Sequence, residues 1–322
     1  MSATAGSAGV IGLGIMGSAI AANLQRSGFD VCGIDIDAIA RERLRGAIAA
    51  VDASVDALPA DTRLLISSLP SSQALMAVCE ALAMRAEQAD GEALADGDAL
   101  ADGDARIADR APAAPRRVLA ETSTLPIADK HRARERLAAA GIAMIDAPLS
   151  GTGAQALTRD LAVYASGDPA DIAAMAAVFD GFARARYDVG AFGNGMRMKL
   201  VANLLVAIHN VSTAEALLFA QRLGLDPARV VEVVGDGAGA SRMLQVRGPM
   251  MAAGGWQQAT MKVEVWAKDM AIIGEALAEL ALPAPLFAAC VPIYQAALAQ
   301  GHALHDTASV YSVLERMAAG TS

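Results

Sequence analysis

Aromatic residues make up only 4% of this 322-residue chain, so its cores cannot rest on large rings. Hydrophobic residues still reach 54%, and Ala, Leu, Val and Ile must build the interior. That balance describes a chain long enough for two domains, rich in helix or in α/β layers. Cysteine is scarce: Cys32, Cys79 and Cys290 lie far apart, without metal or redox spacing. They read as small core residues of a reducing compartment rather than a disulfide framework. Positive charge is also short, with 26 Lys and Arg against 35 Asp and Glu and a formal charge of -9. This argues against partners such as nucleic acid or an anionic membrane. No basic run precedes Gly9, so no secretory signal is expected. The apolar run Leu200 to Ile208 is too short to span a bilayer before His209, Asn210 and Glu215 interrupt it. A cytoplasmic protein is the expectation.

What is present begins at Gly9. A short apolar strand runs into Gly12-Leu13-Gly14-Ile15-Met16-Gly17, a Gly-x-Gly-x-x-Gly turn. A helix is expected from Ser18 to Ser27, stopped by Gly28, then a second strand from Asp30 to Ile34 that closes on Asp35. The three glycines serve different physical ends. Gly12 permits the tight turn, Gly14 lets a pyrophosphate approach the backbone, and Gly17 lets helix pack on strand. The helix N-terminus then offers N–H groups and a positive dipole end to phosphates. Asp35 stands 18 residues after Gly17, where a carboxylate would take the ribose hydroxyls of NAD. A 2'-phosphate would meet that charge, and the next residue is Ile36 rather than arginine, so NAD is favoured over NADP.

Arg63 to Leu69 reads as a buried strand ending at Pro70, followed by a helix from Ser72 to about Glu87. Then Ala93–Asp98 (Ala-Leu-Ala-Asp-Gly-Asp) is repeated as Ala99–Asp104. Between Ala86 and Ala111, eight acids and two arginines give a net charge of -6. Such a stretch buries little apolar area, so residues 85–116 are expected to be a solvated or disordered acidic insertion. Its Asp-Gly-Asp steps lack a full calcium-ligand set.

The sheet resumes at Arg117–Ala120 and leads to Glu121-Thr122-Ser123-Thr124, a loop at a strand's C-terminal end. A helix (Ile127 to Ala140) and a strand (Ala143 to Asp146) precede Ala147-Pro148-Leu149-Ser150-Gly151-Thr152-Gly153, a small, amide-rich loop suited to an anion. Leu161–Ala165 and Ala183–Val189 read as this domain's last strands, with Gly190–Gly195 as a hinge. A long apolar helix then reaches about Leu223, carrying Lys199 and Asn203 one turn apart on one face. Beyond it everything reads helical: Pro227–Gly235, Ser241–Met251, Val263–Leu280, Pro285–Ala299 and Ser309–Met317. His302 and His305 are three apart, yet nothing nearby completes a metal site, and no metal is expected.

Together these motifs resemble the β-hydroxyacid dehydrogenase family, which includes 3-hydroxyisobutyrate, tartronate semialdehyde and L-threonate dehydrogenases. Four ordered segments carry the resemblance: Gly12 to Gly17 with Asn23; Asp146 to Gly151; Gly193-Asn194-Gly195 with Lys199 and Asn203; and Lys268-Asp269. It extends from Gly9 to about Leu314 outside the insertion, and the segment around Ser241 is most similar to the L-threonate branch. The resemblance implies an α/β Rossmann-type N-terminal domain (1–193) and an all-α C-terminal domain (194–322) for substrate and oligomerisation. It implies Lys199 as general acid/base, with a pKa well below the free value of about 10.4. Ser150, Gly151 and Thr152 would hold the substrate carboxylate, and Asn203 would orient Lys199 or the substrate. Leu69, Pro70, Thr124 and Lys268 would join the glycine turn and Asp35 around the cofactor, with Lys268 a cation for Lys199. The sequence departs from the family at Thr152 and Arg159, both usually glycine, and at Ala74, usually polar in some members.

The expected function is therefore hydride transfer between a small 3-hydroxy acid (3-hydroxyisobutyrate, L-threonate or glycerate type) and NAD, in a homodimer or homotetramer. Two alternatives are an imine reductase-like enzyme, which usually lacks this lysine, and a non-catalytic NAD-binding regulator, which would not need it.

Overall fold

The computed structural model describes residues 5–98 and 116–319. The chain forms two compact units that divide between Lys199 and Leu200. The first unit opens with β1 (Gly6–Ile11), α1 (Ile15–Arg26), β2 (Phe29–Ile34), α2 (Ala38–Leu44) and β3 (Ala50–Asp52). It continues with β4 (Leu64–Ser67), α3 (Ser72–Asp98), β5 (Val118–Glu121), α4 (Ile127–Ala139) and β6 (Ala143–Asp146). These six strands form one parallel sheet in the order β3-β2-β1-β4-β5-β6. Then come β7 (Leu149–Ser150), α5 (Gly153–Leu157), β8 (Ala162–Ala165), α6 (Pro169–Ala174), α7 (Ala176–Phe182) and β9 (Ala185–Asp188). In this small second sheet β8 pairs antiparallel with β7 and parallel with β9.

Strand periodicity of two sorts the apolar residues onto two faces. Val10, Ile66, Ala120 and Ile145 point into one core with Ile20 and Leu24 of α1 and Phe179 and Phe182 of α7. Their neighbours Ile11, Leu65, Leu119 and Met144 point into the other, beneath Leu75 and Leu82 of α3 and Leu137 of α4. Because all six strands are parallel, their C-terminal ends share one edge, and the order reverses between β1 and β4. Ligands of open α/β sheets bind at such a switch point.

The second unit is helical among the described residues. It takes α8 (Asn194–Arg222) from Leu200 onward, then α9 (Pro227–Gly235), α10 (Arg242–Ala253), α11 (Val263–Glu279), α12 (Pro285–Ala299) and α13 (Val310–Ala318). Ala207, Val211, Ala214 and Leu217 of α8 pack with Trp266, Ile273, Phe287 and Tyr294. A buried ion pair, Arg247 Nε to Asp306 Oδ1 at 3.1 Å, ties α10 to the loop before α13. The Rossmann-type N-terminal domain and all-α C-terminal region are as the sequence implies.

Several details differ from what the sequence suggests. Helix α1 starts at Ile15, so Gly17 lies inside its first turn rather than before it. Helix α3 runs past Glu87 to Asp98, through the first Ala-Leu-Ala-Asp-Gly-Asp copy, because Ala, Leu, Glu and Gln favour helix enough to carry two glycines. The second copy lies outside the described residues. Helix α8 is 29 residues long and apolar enough by length and composition to cross a bilayer. The helix reaches Arg222 as expected, and His209, Asn210 and Glu215 interrupt its apolar run without ending it. Its polar residues are instead bonded within protein: the Asn210 amide donates to Tyr294 Oη at 3.0 Å and to the Thr307 carbonyl at 2.9 Å. Such bonds mark a core helix. Elements α2, β3, α5, α6, α7 and β7 have no counterpart among the elements expected from sequence, being short segments with too few residues to show a period.

Candidate active site

The glycine turn sits where β1 meets α1. Gly12 takes a φ of 90°, and a Cβ there would strike the Ser68 carbonyl. A Cβ on Gly17 would drive into the Gly12 carbonyl oxygen, so strand and helix meet here backbone to backbone. Gly14 differs: a Cβ would meet nothing within 4 Å, and the residue caps α1 with no side chain of its own. The first amides of α1 thus face an open cradle, which fits a pyrophosphate. Leu13 is buried, Met16 is half-buried and Ile15 is exposed beside the cradle.

Asp35 follows directly on β2. Its carboxylate accepts the Leu13 N–H at 2.6 Å and the Asp37 N–H at 2.8 Å, which joins the end of β2 to the glycine turn. Arg41 on α2 donates to the Asp35 carbonyl at 2.6 Å. No arginine is adjacent to Asp35 in sequence, and this one escapes a search of neighbouring positions because the first turn of α2 folds it back. Farther along the same edge, Leu69 donates its N–H to Ser123 Oγ at 2.8 Å, fastening the β4 loop with Leu69 and Pro70 to the β5 loop with Thr124.

The loop after β6 carries Ser150, Gly151 and Thr152. Gly151 has a φ of 135°, and a Cβ there would come within 2.5 Å of Leu161. Thr152 is buried and caps α5: its amide donates to Gln155 Oε1 at 3.0 Å, and its hydroxyl accepts the Gln155 amide at 3.5 Å. Its polar groups therefore turn toward α5, leaving the Ser150 hydroxyl and Gly151 amide as the loop's other polar groups. Arg159, also a departure from glycine, has a φ of 62°, so the backbone keeps a glycine-like conformation under a side chain.

Lys199 is buried, and its ammonium donates to the Leu149 carbonyl at 2.6 Å, at the mouth of that loop. One turn on, the Asn203 amide donates to Asp269 Oδ2 at 2.9 Å. Lys268 Nζ lies 3.7 Å from Asp269 Oδ1, so inside the second unit Asn203 and Lys268 share one acid. In the sequence Asp269 stands out only as half of the Lys268-Asp269 pair. Its position next to Lys268 gives no hint that an asparagine claims its other oxygen.

A second cluster has no motif to announce it. Lys130 on α4 is fully buried between Glu121 Oε2 and Asp146 Oδ1, each at 2.7 Å. Burial alone would lower the lysine's pKa, but the two carboxylates and their hydrogen bonds outweigh it and raise it. The sequence shows Glu121 and Asp146 only as strand-end acids; the parallel pairing of β5 with β6, which sets the two in register, brings them together. Elsewhere, His302 and His305 approach with Nδ1 to Nδ1 at 2.8 Å. Among the described residues no three His, Cys, Asp or Glu side chains gather as a metal site.

Sheet order, glycine cradle and strand-end acid define a dinucleotide-binding fold. Comparison with known proteins then narrows the class. Residues 7–114 and 92–193 match the family model of the NAD binding domain of 6-phosphogluconate dehydrogenase. Residues 193–314 match that described as NAD-binding of NADP-dependent 3-hydroxyisobutyrate dehydrogenase. The chain belongs to the β-hydroxyacid dehydrogenase family of NAD(P)-dependent enzymes. It is 29% identical to an L-threonate dehydrogenase of Cupriavidus necator over 95% of each chain. It is 27% identical to the 2-hydroxy-3-oxopropionate reductase of Escherichia coli over 96% of this chain and 97% of the relative. The fold matches a crystal structure of a 3-hydroxyisobutyrate dehydrogenase from Salmonella typhimurium with a TM-score of 0.75 and 24% identity, over 95% of this chain and 99% of that one.

Proposed function

We propose that this protein oxidises a small 3-hydroxy acid of the 3-hydroxyisobutyrate, L-threonate or glycerate type with NAD, using Lys199 as general acid/base. The observation that carries the reading is the buried Lys199 ammonium bonded to Leu149 O, at the loop that also bears Ser150 and Gly151. In its neutral form this amine can give one N–H to Leu149 O and turn its lone pair toward a substrate hydroxyl. It would take the hydroxyl proton in oxidation and return it in reduction. Ser150, Gly151 and Thr152 would hold the carboxylate, Thr152 while also capping α5, and Asn203 would orient Lys199 or the substrate. NAD would supply the acceptor for the C3 hydride; Gly12 to Gly17 would cradle it, Asp35 would take the ribose, Leu69, Pro70 and Thr124 would lie along the same sheet edge, and the family resemblance adds Lys268 as a further cofactor contact. The two backbone N–H groups that donate hydrogen bonds to the Asp35 carboxylate hold its charge in place, which supports NAD over NADP.

The activities for which the relatives are named, on L-threonate and 2-hydroxy-3-oxopropionate, support the substrate class. Exposed Phe219, Leu223, Leu225 and Val233 in the second unit support a homodimer or homotetramer of a cytoplasmic enzyme. Light scattering on the purified protein checks the oligomeric state. For the chemistry, reduced cofactor formation is measured against a panel of 3-hydroxy acids with NAD and with NADP. Lys199→Ala should bind NAD as the wild type does yet lose about a thousandfold or more in kcat. Full rate in that variant would overturn the assignment of Lys199.

A further inference from the structure

We infer that the buried Lys130–Glu121–Asp146 cluster is the device that positions Lys199, with Asp146 as the positioning residue. This rests on the role of Lys199 proposed above. Enclosing three charges beneath a sheet edge stabilises a fold no better than an apolar trio of the same volume, so their presence asks for another reason. Their charges do not cancel: one ammonium faces two carboxylates. The remaining negative charge meets the start of α8, whose first-turn amides, buried and without partners inside the helix, carry the positive end of the helix dipole. Asp146 Oδ2 accepts the Met196 N–H at 2.7 Å. Beside it Ser166 Oγ accepts the Gly195 N–H at 2.9 Å and donates to the Asp146 carbonyl at 3.2 Å.

The same strand end holds the other end of the device. Three residues after Asp146, the Leu149 carbonyl takes the Lys199 ammonium. The segment 146–149 therefore grips both the first turn of α8 and the tip of the lysine that this helix carries. A Cβ on Gly195 would come within 2.8 Å of the Asp146 carbonyl and 2.9 Å of Pro148, so the helix starts in direct backbone contact and has no slack. Asp146 is itself fixed by Lys130, and Lys130 by Glu121. From Glu121 the chain of bonds reaches the cofactor edge: Oε1 accepts the Ser123 N–H at 2.9 Å, and Ser123 Oγ accepts the Leu69 N–H. The cluster thus references the lysine and the loop at Leu69 to one buried point.

The test combines amide hydrogen exchange with steady-state kinetics on the full chain carrying Lys130→Met or Ser166→Ala. In Lys130→Met the exchange of Gly195 and Met196 should accelerate by about tenfold or more, as the first turn of α8 opens without global unfolding. With the lysine displaced, kcat should fall by about a hundredfold while the KM for NAD stays within about twofold. The primary deuterium isotope effect from the C3 position should rise, because the chemical step becomes limiting. Ser166→Ala, which alters no charge, should move exchange and kcat in the same direction by about threefold. Where Lys130→Met does not fold, Ser166→Ala decides alone. Unchanged exchange at Gly195 and Met196 overturns the anchor, as does faster exchange with wild-type kcat. Full rate in Lys199→Ala overturns the role of Lys199 instead, and the exchange data then judge the anchor separately.

Discussion

Replacing Asp35 by serine should reverse or level the cofactor preference, and the structure sets the size of the effect. The carboxylate is half-buried at the end of β2, with one oxygen on the Leu13 amide at 2.6 Å and the other on the Asp37 amide at 2.8 Å. Both oxygens keep a further lone pair for a ribose hydroxyl. Hydrogen bonds to a charged group contribute about 1.5–3 kcal/mol each, and competition with water at a half-buried site leaves about 2–4 kcal/mol for the pair. That corresponds to a loss of roughly 30- to 1,000-fold in NAD affinity. NADP should not suffer equally. The substitution removes the charge that repels a 2'-phosphate, and Arg41 already lies against the Asp35 carbonyl at 2.6 Å. The NAD-to-NADP affinity ratio should therefore fall by at least about tenfold, and adding Arg41→Ala should take back the NADP gain. Dissociation constants for NADH and NADPH, read from nicotinamide fluorescence, need no knowledge of the substrate. Equal weakening of both cofactors would show that Asp35 only braces the glycine turn, and the reasoning would fail.

Other expectations follow from the same geometry. Gly17→Ala forces the start of α1 away from the Gly12 carbonyl, at a cost of about 1–3 kcal/mol, and should abolish NADH binding; normal binding in a folded variant would contradict the backbone contact. Acid should weaken the fold through Asp306. Burial pushes its carboxyl up, but Arg247 and the amides of Ala308 and Met261 outweigh that and hold it below its ordinary 3.8. Its stabilisation is then complete above that ordinary value and lost as pH falls through the lower folded value, so Asp306→Asn should flatten the decline in unfolding free energy below about pH 4. An unchanged acid limb in denaturant titrations would refute this. Finally, burial raises the Cys79 thiol to about 12 and the Cys290 thiol to about 11, so neither should react with a disulfide reagent at pH 8 until the chain unfolds.

Much of the first unit was legible along the chain because its signals are local. Gly12, Gly14 and Gly17 sit at fixed spacing, strand and helix flank them, and Asp35 falls where the next strand must end. The helices of the second unit also showed, since each is long enough to display its period and carries a stop. Short elements such as α2 and β3 did not, for the opposite reason. Thr152 carries a role that its motif does not announce: with Gln155 three residues later it forms the capping box of α5.

The sequence by itself determined the alternation that sends Ile66 and Leu65 to opposite cores, the glycine cradle, and the presence of a lysine and an asparagine one turn apart. Only the tertiary structure decided what those polar groups bond to. Lys130 reads as one more cation on a polar helix, Glu121 and Asp146 as two strand ends, and Leu149 as an ordinary apolar residue. Hydrogen-bond partners such as Leu149 O and Lys199 Nζ lie fifty positions apart, and a carbonyl oxygen is common to every residue. Such a group gains chemical meaning only when the fold points it at a buried charge, and no local pattern encodes that direction.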